Sequence, residues 1–362
     1  TNVSASPLTI SCSGGSATNY SFSSNSANLT INQVTTLAIT ASTQSANFGS
    51  SITSIYSSSV GYSTTGLSSG VINALTYTYA GSGATTYASS TTAPTAPGTY
   101  SVTPSAVGFS TGASGNYANI TYTAGTLTIN SSSLVITANS PAAITYGDAT
   151  PSNGFTTTGL NGGTISSVTY NYSGTGATVY GPSTTAPTAA GSYNITPSAA
   201  VFGAGSSASN YSSVSYVAGS FTINKKVLTA TPNAASATYG DSAPNYSVSV
   251  TGFANSETVS TAAGYVAPTC SSTYSATSNY GSSISYTCTG GSANNYSITN
   301  SGSGVVTINK AALTIVPDAK SVTYGGTAPS YTFTLTGFKN SQTAANAAGY
   351  VAPTCTSSYS TT

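Results

Sequence analysis

Apolar and hydroxyl side chains alternate along much of this chain. Leu75, Tyr77 and Tyr79 are separated by Thr76 and Thr78, and Tyr331, Phe333 and Leu335 by Thr332 and Thr334. Val168, Tyr170 and Tyr172 alternate in the same way. A period of two puts an apolar face and a hydroxyl face on one extended segment, so these stretches read as half-buried antiparallel strands. Ile120 with Tyr122, and Leu127 with Ile129, flank Ala124-Gly125 and read as a hairpin. Helical periodicity is scarce. Residues 256–263, with their counterpart 341–348, leave room for one short helix.

The strand pattern recurs. Thr-Ile-Asn closes four stretches, at Thr30, Thr128, Thr222 and Thr307. An apolar strand follows each, beginning at Leu37, Leu134, Leu228 and Leu313. An aromatic-glycine turn comes next: Phe48-Gly49, Tyr146-Gly147-Asp148, Tyr239-Gly240-Asp241 and Tyr324-Gly325-Gly326. Such a fixed order at long period marks tandem modules. Two kinds are distinguishable. Residues 34–130 and 131–225 (type A) share Ser-Thr-Thr-Ala-Pro-Thr-Ala, starting at Ser90 and Ser183. Residues 226–310 and 311–362 (type B) share Ala-Ala-Gly-Tyr-Val-Ala-Pro-Thr-Cys, ending at Cys270 and Cys355.

The second type-B module has only its first half, and residues 1–33 read like its missing second half. Cys12-Ser-Gly-Gly-Ser-Ala-Thr-Asn-Tyr matches Cys288-Thr-Gly-Gly-Ser-Ala-Asn-Asn-Tyr. The two stretches hold 52 and 33 residues, together the 85 of module 226–310. The expectation is that residues 311–362 of one copy and 1–33 of the next form one module, whether the copies are repeats of a longer polypeptide or separate subunits exchanging strands. Linkers between modules are nearly absent, which favours a stiff, elongated rod.

Composition sharpens this picture. Charged residues make up 2 % of the 362 positions, with five Lys, four acids, and no Arg, His, Trp or Met. Disorder is disfavoured, because 38 % of residues are hydrophobic and net charge is only +1. A nucleic-acid partner is excluded by the lack of clustered cations. No apolar run approaches the length of a membrane span, so no membrane insertion is expected in this segment. A nearly uncharged surface resists self-association weakly, which suits a fibre or surface array.

In its ordered motifs the chain resembles the MBG-type repeats of large bacterial surface proteins and adhesins. The motifs are Leu-Thr-Ile, Ala-Xaa-Tyr-Gly-Asp, Gly-Xaa-Tyr, Asn-Tyr-Xaa-Xaa-Xaa-Tyr-Xaa-Ala-Gly and Thr-Ile-Asn-Lys. Module two matches best, at 143–148, 191–193, 210–219 and 222–225. The resemblance implies a secreted, cell-surface or filamentous protein whose repeats act as stalks or adhesive modules. Phe48-Gly49-Ser50 and the cysteines of the type-B modules depart from the family pattern.

Candidate chemistry is sparse. One cysteine pair per type-B module in an extracellular chain reads as disulfides: Cys270 with Cys288 inside a module, and Cys12 with Cys355 across the seam between copies. Zinc is disfavoured without His, and calcium without more carboxylates than Asp148, Asp241, Asp318 and Glu257. The Tyr-Gly-Asp turns are therefore structural, with Gly making the turn and Asp capping it. Lys226, Glu257 and Asn309 raise an isopeptide reading, outweighed by that of an ordinary surface lysine. Tyrosines on alternating strands read as core before sugar platforms. Asn-Xaa-Ser/Thr sequons make Asn19, Asn28, Asn119, Asn171, Asn194, Asn210, Asn245 and Asn295 candidate glycan acceptors. Without a histidine base or paired carboxylates, no enzyme and no cofactor are expected.

The sequence thus points to an all-β protein of tandem antiparallel modules, each a sandwich or β-grasp-like unit. Its expected role is a structural repeat of an extracellular filament or cell-surface stalk, with copies of itself as partners and glycans as further candidates. The alternative is a ligand-binding adhesin attaching cells to glycans or surfaces.

Overall fold

The computed structural model describes residues 1–112 and 114–361. These fall into two compact units. One comprises residues 1–139, 153–171 and 195–219; the other comprises 140–152, 172–194 and 220–362.

In the first unit, residues 34–130 form two sheets. One is ordered Tyr62–Thr65, Val34–Ala41, Tyr117–Thr123. The other is ordered Gln44–Asn47, Gly125–Asn130, Gly98–Thr111, Val71–Gly81. Leu37 and Ile39 of the first sheet share one buried core with Tyr77, Tyr79, Tyr100, Val102, Leu127 and Ile129 of the second. Opposed apolar faces of two sheets make this a β-sandwich core. The burying positions are the alternating ones that the sequence shows. Two of these tyrosine hydroxyls find backbone acceptors: Tyr77 donates to the Val60 carbonyl at 2.9 Å and Tyr100 to that of Ala96 at 2.6 Å.

Two sequence expectations fail here. Residues 117–130 are not a hairpin. Tyr117–Thr123 pairs parallel with Val34–Ala41, and Gly125–Asn130 pairs parallel with Gln44–Asn47. The chain passes from one sheet to the other at Ala124, alongside an equivalent passage at 42–43. Gly125 is required there, because a Cβ would stand 2.3 Å from the Ala41 carbonyl oxygen. The modules are accordingly mixed rather than purely antiparallel. Alternation reports which face is buried and is blind to the direction of the neighbouring strand.

The same two-sheet order recurs in residues 131–225, as Phe155–Thr158, Ser132–Ala138, Tyr211–Val217 and as Ile144–Thr145, Gly219–Asn224, Gly191–Phe202, Ile165–Gly174.

In the second unit, residues 226–310 form a third pair of sheets. Their orders are Val248–Thr251, Lys226–Pro232, Tyr296–Asn300 and Ala235–Thr238, Gly304–Asn309, Ser283–Thr289, Thr269–Ser272. Leu228, Ala230, Tyr296, Val306 and Ile308 are fully buried. The short helix expected at 256–263 does not form. Ala262 donates to Thr258 at 2.9 Å in a single turn, and the Thr258 and Thr261 side chains compete for the local backbone. At 341–348 the same isolated turn closes, with Ala347 donating to Thr343 at 2.9 Å.

Candidate functional site

The features that bear on function are the single hairpins of residues 1–33 and 311–362 and the turns that join one module to the next. Residues 1–33 hold a hairpin of Leu8–Ile10 and Ala27–Leu29, in register Leu8 to Leu29 and Ile10 to Ala27. The complete type-B module pairs Ile284 with Val306 and Tyr286 with Gly304, which are the corresponding positions. Residues 311–362 hold a hairpin of Thr314–Pro317 and Phe333–Thr336, with Ile315 opposite Leu335 and Pro317 opposite Phe333. The complete module pairs Ala230 with Val250 and Pro232 with Val248, again the same positions. Tyr359 donates to the Gly326 carbonyl at 2.8 Å, as its counterpart Tyr274 does to Asp241 at 2.9 Å. Each half keeps the local geometry of the whole.

Leu228, Ala230 and Tyr296 are at most 1 % exposed, whereas their counterparts Leu313, Ile315 and Tyr20 are 39 %, 46 % and 78 % exposed. Phe22 and Leu29 are exposed likewise. Beside the second half lies an apolar groove of about 650 Å³ lined by Leu313, Ile315, Leu335, Phe338, Ala347 and Tyr350.

Cys270 and Cys288 face each other across paired strands and are disulfide bonded, Cα atoms 3.9 Å apart. Cys12 and Cys355, at the corresponding positions of the two halves, are free thiols.

The aromatic-glycine turns carry the module-to-module contacts. Phe48 lies edge-on to Tyr211 of the following module, centroids 5.6 Å apart at 84°. Tyr146 meets Tyr296 of its following module in the same way, at 5.3 Å and 81°. Phe48 and Tyr146 are each 7 % exposed. The glycine lets the turn press onto the next module's loop: a Cβ on Gly49, Gly147 or Gly240 would lie 2.5, 2.5 or 2.3 Å from the Cβ of Asn161, Ala254 or Lys339. All three glycines have positive φ. Each of these turns is also tied to its own module, with the aromatic N–H donating to the closing Asn carbonyl: Phe48 to Asn130, Tyr146 to Asn224, Tyr239 to Asn309.

The acids are structural. Asp148 caps its turn by accepting from the Thr145 N–H at 2.9 Å, and Asp241 pairs with Lys339 at 3.2 Å. Asp318 accepts from Thr332 at 2.7 Å and from Thr334, which holds its carboxyl below the usual range. Glu257 gives one oxygen to the Tyr146 hydroxyl and the other to that of Tyr296. Its carboxylate is therefore engaged by tyrosines, while Lys226 and Asn309 lie in different sheets of the module. No group of three or more His, Cys, Asp or Glu suited to a metal occurs among the described residues. No helix among them is long and apolar enough to cross a membrane.

Of the sequon asparagines, Asn19, Asn28, Asn119, Asn194 and Asn245 are exposed, and Asn171, Asn210 and Asn295 are half-buried. Asn171 donates to Ser198 at 3.0 Å. Asn295 accepts the Ala190 N–H at 3.0 Å, a bond between successive modules that a glycan would break. Asn116, its counterpart in module one, accepts the Val3 N–H at 2.8 Å. Residues 1–33 thus meet module one as module two meets module three. Sequence reasoning missed both this asparagine contact and the receiving loops. The loops share one signal: Ser68, Asn161, Ala254 and Lys339 each stand two residues after a positive-φ glycine.

Comparison with known proteins agrees with the motif reading in part of the chain. No curated protein matches this chain. A solved structure, described as the I9–I11 tandem from titin, aligns at 13 % identity over 61 % of this chain and 76 % of that chain, with a TM-score of 0.19. The family model described as "MBG domain (YGX type)" matches residues 228–307, so that stretch of the complete type-B module, with its Tyr239-Gly240-Asp241 turn, is similar to MBG domains of the YGX type.

Proposed function

We propose that this chain is a structural repeat or subunit of an extracellular filament or cell-surface stalk, joined head to tail. Residues 311–362 of one copy take residues 1–33 of the next to complete a type-B module. The observation that carries this reading is the register of the two hairpins, which reproduces the complete module on both sides of the missing interface. Transferring the complete module's pairings sets Ala311 beside Tyr20, Leu313 beside Phe22, and Cys355 beside Cys12. Burying each large apolar side chain contributes up to about 1.5–3 kcal/mol. Several together offset an association cost of about 4–15 kcal/mol, and exchange with a small-molecule or protein disulfide of the oxidising extracellular milieu, which is reduced to its dithiol, then joins Cys12 to Cys355 and seals the seam.

The modules themselves serve as structural repeats, and exposed sequons such as Asn119 and Asn194 are sites where glycans supply the solubility that charge does not. The reading assigns the chain no catalysis, because it lacks histidine and each of its four acids has a structural partner. The adhesin alternative gains little from the groove, because its aliphatic lining of Leu313, Ile315 and Leu335 corresponds to strand positions of the complete type-B module.

The test is electrophoresis of the oxidised full-length chain with and without reductant, followed by peptide mapping. A ladder that collapses to the single chain on reduction, with a Cys12-to-Cys355 peptide between copies, is expected, and Cys12→Ser removes it. Chains that stay single under oxidation, at concentrations where exposed apolar faces associate, would sink the proposal.

A further inference from the structure

Three of the four aromatic-glycine turns are docked and one is bare. Phe48 and Tyr146 are 7 % exposed, Tyr239 is half-buried, and Tyr324 is 97 % exposed. Gly49, Gly147 and Gly240 each press against a Cβ of the following module, and Gly325 has nothing within 4 Å. Yet the Tyr324-Gly325-Gly326 turn is already in shape. Gly325 has φ +76°, Gly326 donates to Thr323 at 2.9 Å, and Tyr359 braces Gly326.

The complementary surface is also bare. The residue that receives a turn stands two positions after a conserved-geometry glycine: Asn161 after Gly159, Ala254 after Gly252, Lys339 after Gly337. These glycines share a close approach, since a Cβ there would meet the carbonyl of Ser133, Val227 or Ala312. Gly66 has the same environment, with φ +83° and the Thr36 carbonyl at 2.2 Å from an ideal Cβ. Its receiver is Ser68, which is exposed. The aromatic beneath is also in place. Tyr117 stacks on Phe109 at 5.9 Å and donates to Ser69, as Tyr211 stacks on Phe202 at 5.6 Å and donates to Leu160.

We infer that the Tyr324-Gly325-Gly326 turn docks on the loop at residues 66–70 of the next copy, setting Gly325 against Ser68 and Tyr324 at the edge of Tyr117. The inference rests on the head-to-tail reading, because the module that contains Tyr324 is completed by residues 1–33, which run directly into the module that contains Ser68. It adds a second interface outside the shared module. Completing a module joins two copies, and docking the turn fixes the next module's direction. The seam differs from the Asp241–Lys339 junction in being uncharged on both sides, with Gly326 where Asp241 stands and Ser68 where Lys339 stands.

Hydroxyl-radical footprinting with mass spectrometry separates the two claims on the full-length chain. Tyr20 reports completion of the module, and Tyr324 reports docking of the turn. In oxidised wild-type oligomers both rings become protected relative to the Cys12→Ser monomer. Tyr324 falls about tenfold, towards the reactivity of Tyr146, if copies dock without rearranging. Gly325→Ala, which adds a Cβ where docked turns have none, keeps the Cys12–Cys355 link and the Tyr20 protection and loses the Tyr324 protection. Tyr324 remaining as reactive in linked wild-type chains as in the monomer overturns the inference and leaves head-to-tail assembly standing. Undiminished Tyr324 protection in linked Gly325→Ala chains also overturns it. If neither a link nor Tyr20 protection appears, the head-to-tail reading falls and the docking falls with it.

Discussion

The Tyr146 hydroxyl donates to the Glu257 carboxylate at 3.1 Å, and the two residues belong to successive modules. The second carboxylate oxygen accepts from Tyr296, so one acid binds two rings that meet edge-on. In a chain with four acids, this one sits where a module boundary needs a polar tie inside an aromatic contact.

Removing the tie leaves two buried phenols without their acceptor. Hydrogen bonds to a charged group are worth about 1.5–3 kcal/mol. Glu257→Ala is expected to lower the stability of the module-two to module-three junction by about 1–3 kcal/mol, with Glu257→Gln losing less. Denaturant unfolding of the full chain, followed by tyrosine fluorescence, checks this. A midpoint unchanged in Glu257→Ala means the carboxylate carries no junction energy.

Glycines at equivalent turns are predicted to respond unequally. Gly147→Ala suffers a left-handed backbone at φ +94° and a contact of 2.5 Å with the Ala254 Cβ. Gly325→Ala suffers only the first, at φ +76° in open space. The conformational term alone is about 1–2 kcal/mol, so in single chains the loss at Gly147 exceeds that value and the loss at Gly325 stays within it. Melting temperatures of the two variants, measured in a Cys12→Ser background that keeps the chains single, decide the order.

Much of this architecture was legible in the sequence, and the failures have one physical origin. Alternation exposed the strands and the core tyrosines, and the ordered motifs recur with the recurring pairs of sheets. The passage of the chain between sheets at Ala124 was not legible, since Tyr122 and Leu127 look alike whether the strands around them pair with each other or with earlier strands. The isolated turn at Thr258 looked helical because its alanines favour helix, while its threonines, bonding to the local backbone, decide otherwise. The receiving residues Ser68, Asn161, Ala254 and Lys339 share a place and no chemistry, because what the turn needs is a Cβ at a fixed position. A search by residue type passes over them.

The Cys270–Cys288 disulfide closes a loop of 18 residues. Chain-entropy arithmetic gives about 3 kcal/mol for a loop of this size. Cys270→Ser with Cys288→Ser is expected to destabilise the complete type-B module by up to about that amount, leaving residues 34–130 unaffected because no cysteine lies there. Hydrogen exchange resolved by peptide reads the two regions in one experiment. Equal loss of protection in both would contradict modules that unfold separately.

Alkaline pH should unfold this protein in a defined window. Burial raises the Tyr56 hydroxyl from 10.0 to about 12, with Tyr79 adding to the shift. Burial also raises Tyr296 to about 12, reinforced by its hydrogen bond to Glu257. Tyr77, Tyr79, Tyr100, Tyr193 and Tyr211 shift in the same direction, each chiefly through burial. A raised folded-state pKa means that the unfolded chain releases its phenolic proton first. The folded state therefore binds more protons between the two values, and stability falls with rising pH. The contribution of these groups is fully present below pH 10.0, the ordinary tyrosine value, and is lost as pH climbs towards about 12. Spectrophotometric titration should show a class of tyrosines whose ionisation appears only with unfolding. Because Tyr56, Tyr77, Tyr79 and Tyr100 all lie in module one, that module is expected to open earliest as pH rises. Tyr296→Phe removes one coupled proton and should make the fall shallower in module three alone; a titration in which every tyrosine ionises together near its ordinary value would rule out the buried class.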